Sequence, residues 1–230
     1  MSFTLTAHGH ATFTLDTGEY KLVIDPFFAP NNPAANLTVK EVQADFILIT
    51  HGHGDHIADA AALASQSGAM CISNFEIHEW LIKQGVEKVH PMHIGGGRDF
   101  DFGHLKLTIA HHGSMLPDGS NGGNPAGLLI TLKDGEKIYI AGDTALTYDM
   151  KLIGEAGGVD LAVLPIGDNF TMGPHDAIMA ARYCGARHVV PCHYNTFEVI
   201  EQDADEFVHQ LSEKQDINAT ILNPGESYNG

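Results

Sequence analysis

The run Thr50-His51-Gly52-His53-Gly54-Asp55-His56 places three imidazoles and one carboxylate within six consecutive positions. Each of these side chains is a good ligand for a divalent metal. Packing alone does not account for four such groups side by side, because each would need desolvation and a hydrogen-bond partner. His51 and His53 are two apart and can point the same way from an extended turn. Asp55 and His56 are adjacent and can diverge toward a second centre. One short loop can therefore serve two metals about 3.5–4 Å apart, the spacing of two-metal sites.

Such groups need firm elements behind them. Residues 45–50, with the apolar run 46–49 inside them, predict a buried strand and end at the cluster. Before them, residues 3–6, 12–15 and 20–24 alternate like strands, with Asp16-Thr17-Gly18-Glu19 as a hairpin turn. Asp25-Pro26 ends the third strand, and 27–37, rich in proline and asparagine, reads as a loop. An alanine-rich helix is predicted over 57–67, stopped by Gly68, then a strand over 70–73 and a helix over 75–84, stopped by Gly85. Residues 105–110 alternate cleanly and end at His111-His112. A hairpin over 127–132 and 137–141 ends at Gly142-Asp143-Thr144. A strand over 159–165 leads into the loop 167–174, and a helix follows over 175–184. Residues 189–192 lead to His193, a helix is expected over 197–214, and a short strand near 220–222 closes the chain.

Ligand-type residues therefore recur just past strand ends, where loops converge. His111-His112, Asp143 and His193 add three positions to the first four. A carboxylate such as Asp143 has two oxygens and can bridge two metals; an imidazole cannot readily do so. Strands followed by helices in each half predict two sheets packed face to face with helices outside.

Composition sets the remaining bounds. The 230 residues suffice for one large domain or two small ones, and 43% hydrophobic content is ordinary for a globular chain. No apolar run is long enough to span a bilayer. The segment from Met1 to Thr6 lacks a basic stretch followed by an apolar one, so a cytoplasmic protein is expected. Net charge is −17, from 29 acids and 12 bases, which argues against nucleic acid as a partner. Fifteen histidines fit a metal site better than a surface preference. Cys71, Cys184 and Cys192 show no CxxC spacing and read as buried reduced thiols.

With these motifs in view, the sequence resembles the metallo-β-lactamase superfamily across nearly its whole length. His-x-His-x-Asp-His at 51–56, the later histidine, the Gly142-Asp143-Thr144 aspartate and His193 occur in the family's order. It is most similar to the short, stand-alone metal-dependent hydrolases related to ascorbate-6-phosphate lactonase. Gly9-His10-Ala11-Thr12-Phe13, Ile24-Asp25-Pro26-Phe27, the 166–174 loop and Cys192-His193-Tyr194-Asn195-Thr196 carry that similarity. The resemblance implies an α/β protein of one domain over 1–230, an αββα sandwich of two mixed β-sheets flanked by helices. It implies two divalent metal ions, with zinc the first choice and manganese or iron open. His51, His53 and His112 would hold the first, Asp55, His56 and His193 the second, and Asp143 would bridge. His111 remains an alternative to His112. Asp25 would support the ligands from behind.

The function expected is hydrolysis of a small ester, lactone or phosphodiester by a hydroxide shared between the metals, oriented by Asp55. The alternatives are a phosphodiesterase rather than a carbonyl hydrolase, or a non-catalytic metal-binding or sensing protein. The expected partners are a small-molecule substrate and, from the family, a homo-oligomer, with no nucleic acid and no membrane. An aspartate at 143, where class B β-lactamases usually carry cysteine, argues against antibiotic hydrolysis. Substrate choice is expected to lie in 27–37 and 114–124. His10 reads as either a support for the ligands or a structural residue. His175 reads as either an anion contact or a plain helix start. The run Gly95-Gly96-Gly97-Arg98 lacks a Gly-Lys-Ser/Thr ending and reads as a turn. His78, His90, His93, His104, His188 and His209 read as surface or structural.

Overall fold

In the computed structural model, residues 3–215 and 217–230 are described; Met1 and Ser2, part of the N-terminal stretch read above, lie outside them. The chain order is β1 (Thr4–Ala7), β2 (Phe13–Asp16), β3 (Lys21–Ile24), β4 (Phe46–Leu48), α1 (Gly54–Ile57), α2 (Ala60–Ser67), β5 (Met70–Asn74), α3 (Phe75–Lys83) and β6 (Val89–Met92). The second half runs β7 (Gly97–Phe100), β8 (Gly103–Ile109), β9 (Ala126–Leu132), β10 (Lys137–Ile140), α4 (Met150–Glu155), β11 (Val159–Pro165), α5 (Pro174–Tyr183), β12 (Ala186–Cys192), α6 (Ala204–Gln215), β13 (Asn218–Ala219) and β14 (Ser227–Asn229).

One sheet has the order β14-β1-β2-β3-β4-β5-β6, the other β13-β12-β11-β10-β9-β8-β7. Each is mixed, with antiparallel pairs such as β8–β9 and parallel pairs such as β11–β12. Strand periodicity explains the layering. Leu22 and Ile24 face the other sheet with Leu48, Leu128, Ile140 and Val163, while Val23, Ile47 and Ile49 face outward. Val23 and Ile47 pack with Ile57, Leu63, Ile77 and Leu81 of the first helices. Ala162 and Leu164 pack outward against Ala177, Ala181 and Phe207. Strands buried on both faces read as unbroken apolar runs, which is how 46–49 and 161–165 appear in the sequence. The result is the expected αββα sandwich. No described helix is long and apolar enough to cross a membrane.

Several elements differ from expectation for local reasons. The helix expected over 57–67 is two helices: at Asp59 the backbone N–H donates to Pro26 O at 3.1 Å instead of into the helix, and the carboxylate accepts the Phe28 N–H at 2.7 Å. The helix expected over 197–214 is a 3-10 turn at Glu198–Ile200 and then α6. The Asn195 side chain accepts the Gln202 N–H at 2.7 Å, and Asp203 caps Glu206 at 2.9 Å. The strand expected near 220–222 is replaced by β13 beside β12 and β14 beside β1. The glycine run turns at Gly95-Gly96, but Gly97 and Arg98 already belong to β7. β6, β7 and α4 carry too little apolar periodicity to be legible. All three cysteines are free and buried, as expected.

His8, the residue after β1, sets a pH dependence. Its ring is buried against Phe28, and Nε2 pairs with the Thr14 hydroxyl at 2.8 Å. Burial lowers its pKa, partly offset by the Asn36 side chain. The unfolded chain therefore binds the His8 proton first. This contribution to stability is complete above the unfolded pKa, about 6.5, and is lost as pH falls below it toward the depressed folded value. We expect thermal midpoints of the chelated protein to fall from pH 7.5 to 5.5, and His8→Gln to flatten that dependence. An unchanged slope in His8→Gln would remove His8 as a source.

Candidate metal centre

The sandwich brings one end of several strands together. β4 delivers His51, β8 delivers His112, β10 delivers Asp143, β12 delivers His193 and β3 delivers Asp25. Cross-sheet bonds fix the alignment: Ala126 N–H donates to Thr50 O at 3.0 Å, and Gly52 N–H donates to Ser114 Oγ at 3.0 Å. His193 N–H donates to His10 O at 2.9 Å. Gly142, at φ 62°, turns the chain so closely past Thr50 that an added Cβ would lie 2.9 Å from the threonine Cβ. That turn directs the next side chain, Asp143, into the centre.

Two groups of ligand atoms result. His51, His53 and His112 form one, and His10, Asp55, His56 and His193 form the other. Asp143 Oδ2 lies between them, 3.7 Å from His51 Nε2 and 3.4 Å from His112 Nε2 on one side. On the other it lies 3.4 Å from His56 Nε2 and 3.1 Å from His193 Nε2. Asp55 Oδ2 is 3.9 Å from His56 Nε2 and 3.8 Å from His193 Nε2. All seven residues singled out in the sequence are thus together. Of the two adjacent histidines, His112 enters the cluster. His111 is exposed, and its backbone N–H donates to Thr144 Oγ1 at 3.0 Å. Asp55 and His56 sit on α1, and Asp55 is the more accessible of the two carboxylates, at 31% side-chain exposure against 3% for Asp143.

The supports behind the ligands set their ring orientation. Thr50 Oγ1 donates to Asp25 Oδ2 at 2.6 Å, so it accepts from His51 Nδ1 at 3.0 Å, leaving His51 Nε2 with a free lone pair. His56 Nδ1 donates to the same Asp25 oxygen at 2.8 Å and likewise frees its Nε2. Asp25 Oδ1 accepts the Thr50 N–H at 2.8 Å. With both oxygens occupied, Asp25 orients two imidazoles rather than joining them. Strained backbone marks the same residues: Asp25, His10 and His193 have φ 45°, 58° and 54°.

His10 is the residue the sequence left open. Its Nε2 lies 3.0 Å from Asp55 Oδ2 and its Nδ1 2.9 Å from Thr196 Oγ1, with its ring 4.0 Å from that of His193. It buttresses Asp55. The signal was its place after Gly9, together with Thr196 just beyond His193, but neither is legible without the fold. His175 is 88% exposed, pairs with Asp176 at 3.5 Å, and does not line the cleft.

The donor atoms fit a cation. His56 Nε2, His193 Nε2 and Asp143 Oδ1 are buried without any hydrogen bond. His51 Nε2 and His53 Nδ1 face each other at 3.1 Å. Two nitrogens sharing one tetrahedral ion at about 2.0–2.1 Å stand roughly 3.3 Å apart. Electrostatics agree. Burial opposes the charge on Asp143, but His56 and His193 outweigh it and hold this carboxyl well below the usual range. Burial likewise opposes charge on His193, yet Asp143 raises it to about 9. Burial keeps His51, His53 and His112 lowered, hence neutral and ready to donate lone pairs. Burial also lowers His10, to about 4, despite its bond to Asp55.

The centre opens into a cleft of about 460 Å³. Residues of 114–124 line it, as expected, but none of 27–37 does. That loop instead buttresses the His10 segment: Asn32 Nδ2 donates to Gly9 O at 3.3 Å, and Phe27 packs edge-on against the His10 ring. Phe170, from the 167–174 loop, lines the cleft in its place.

Fold and site define the class, and a family comparison agrees: residues 20–194 match the beta-lactamase superfamily domain. The solved structure of Igni18, a novel metallo hydrolase from the hyperthermophilic archaeon Ignicoccus hospitalis, superposes with a TM-score of 0.89 at 33% identity, over 99% of both chains. A UPF0173 metal-dependent hydrolase of Bacillus cereus (strain AH187) is 50% identical over 225 residues, 96% of each chain. Another, from Bacillus velezensis, is 52% identical over 212 residues, 90% of this chain and 92% of the relative. The chain belongs to the UPF0173 metal-dependent hydrolases of the β-lactamase superfamily.

Proposed function

We propose that this metal-dependent hydrolase is binuclear and cleaves a small ester, lactone or phosphodiester. The observation that carries this is the position of Asp143 Oδ2, within 3.1–3.7 Å of four imidazole Nε2 atoms drawn from both ligand groups. His51, His53 and His112 would hold one ion, Asp55, His56 and His193 the other, with Asp143 shared. Nitrogen-rich mixed N/O donors make zinc the first choice, with manganese and iron compatible. Bound there, two divalent ions supply Lewis acidity and bring the pKa of water toward neutrality.

The protein's own residues do the rest. Asp55 reaches the cleft and is held by His10, so it is placed to orient the attacking water; burial opposes its charge, but His10 and His193 outweigh it and hold the carboxyl well below the usual range, so it stays ionised. Asp25 and Thr50 fix His51 and His56. Cys192 is not a nucleophile: burial raises its pKa well above the usual range, and it does not line the cleft. Both sheets contribute ligands, which supports reading 1–230 as one hydrolase domain. Metal analysis of the loaded protein, with turnover measured on ester, lactone and phosphodiester panels, tests the proposal. Two ions per chain with hydrolysis on at least one panel is the expected result. Saturation at one ion would overturn the binuclear assignment. Two ions with no turnover on any panel would favour a metal-binding module.

A further inference from the structure

The walls of the cleft narrow the substrate class. Apart from metal-centre residues and glycines, its lining is Met115, Leu116, Pro117 and Phe170, with no lysine or arginine among the described residues. Met115 is 63% exposed and Phe170 56% exposed, so both offer apolar surface to whatever enters.

Neither side chain is there by looseness. Met115 pairs with Asn121 in an isolated β-bridge, Leu116 N–H donates to Ser120 O at 2.9 Å, and Ser114 Oγ donates to Gly122 O at 2.9 Å. Trp80 Nε1 donates to Asp118 at 3.0 Å and anchors the outside of the same turn. Leu116 packs so tightly on Gly52 that a Cβ there would lie 3.0 Å from Leu116 Cδ2, which ties the apolar wall to the His51–His53 loop. Phe170 follows two consecutive left-handed residues, Asp168 at φ 57° and Asn169 at φ 43°. The same turn is fastened to the residue after Asp143 by Met172 N–H to Thr144 O at 3.0 Å. Backbone strain kept to present an aromatic ring beside a reactive centre is a feature of binding sites.

We propose that the substrate is an ester or lactone whose arm, beyond the reacting carbonyl, is apolar and uncharged, and that Met115, Leu116, Pro117 and Phe170 form the shelf that receives it. This rests on the hydrolase assignment above. Water adds to the acyl carbon, the acyl C–O bond breaks, and the alkoxide oxygen takes a proton from the added water; an ester gives an alcohol and an acid, and a lactone opens to one hydroxy acid. A phosphate or carboxylate on the arm would meet an apolar wall, with no cation to receive it, on a protein of net charge −17.

The test uses the metal-loaded full chain and γ-lactones with alkyl tails of increasing length, matched lactones whose tails end in carboxylate or phosphate, and an aryl phosphodiester. kcat/KM is expected to rise about two- to fourfold per added methylene and to drop at least about tenfold with an anionic tail. Met115→Ser with Phe170→Ser should flatten the length dependence, and Met115→Lys should narrow the gap between anionic and neutral tails. Independently of turnover, calorimetric titration with straight-chain carboxylates from acetate to octanoate should show Kd tightening with length, and dicarboxylates of equal length binding more weakly. A flat length dependence, a preference for charged tails, or a phosphodiester cleaved faster than every ester and lactone overturns the proposal. Turnover without length dependence removes the shelf and leaves the hydrolase. Length-dependent carboxylate binding without turnover keeps the shelf and removes the hydrolase.

Discussion

Asp143→Asn is expected to lower the metal count from two ions per chain to one or fewer, and to reduce turnover by at least about 10²–10³-fold, the usual cost of deleting a preorganised electrostatic group. Asparagine has the same shape, so Gly142, Thr144 and the cross-sheet bonds around them are undisturbed. What changes is charge and lone pairs. Asp143 Oδ2 stands 3.1–3.7 Å from four Nε2 atoms, and Oδ1 is buried without a partner. An amide offers one oxygen and an NH₂ group, and neither can act as a shared anion. Metal analysis and kcat on the best ester or lactone, with far-ultraviolet dichroism as a fold control, decide the matter. A folded Asp143→Asn protein that keeps two ions and full turnover would remove Asp143 from the centre.

The clustered candidates were legible because metal chemistry restricts residue types and strand ends restrict their places. His51, His53, Asp55 and His56 fall within six consecutive positions, and Asp143 and His193 each follow a strand. His112 is preferred to His111 on the family resemblance alone, because two adjacent histidines after a strand face opposite ways and the residues themselves do not state which faces inward. His10 was illegible for a different reason. Its value lies in a bond to Asp55 across 45 positions, and a lone buried histidine looks the same whether it orients a ligand or fills a core. The sandwich was readable from runs such as 46–49 and 161–165, which are apolar because they are buried on both faces. Edge elements were not. β7 is largely exposed, and β13 has two residues whose pairing depends on β12, so neither carries a pattern of its own. The break at Asp59 was hidden because its partners, Pro26 O and the Phe28 N–H, lie in a distant loop.

Stripping the metals should lower the thermal midpoint without unfolding the chain. Ions that bind the folded state and not the unfolded one stabilise by about 4.1 kcal/mol at a thousandfold excess over Kd. In a chain of this size each kcal/mol moves the midpoint by about 2–4 °C, so each filled site should be worth roughly 8–16 °C. The three apolar clusters, between the sheets and under each helical layer, include none of the ligand residues. The chelated protein should therefore keep its secondary structure and a cooperative transition. The donors respond differently. Ions would replace the protons that Asp143 favours on His56 and His193, whose Nε2 atoms lack a hydrogen bond. The midpoint should climb with the logarithm of free metal concentration and recover on readdition after chelation. In Asp143→Asn that climb should shrink to the remaining site. Calorimetric scans of chelated, reloaded and Asp143→Asn protein at one pH measure this directly. Equal midpoints for the chelated and reloaded wild type would mean that the cluster binds no ion strongly enough to matter, and the hydrolase assignment for this centre would fall with it.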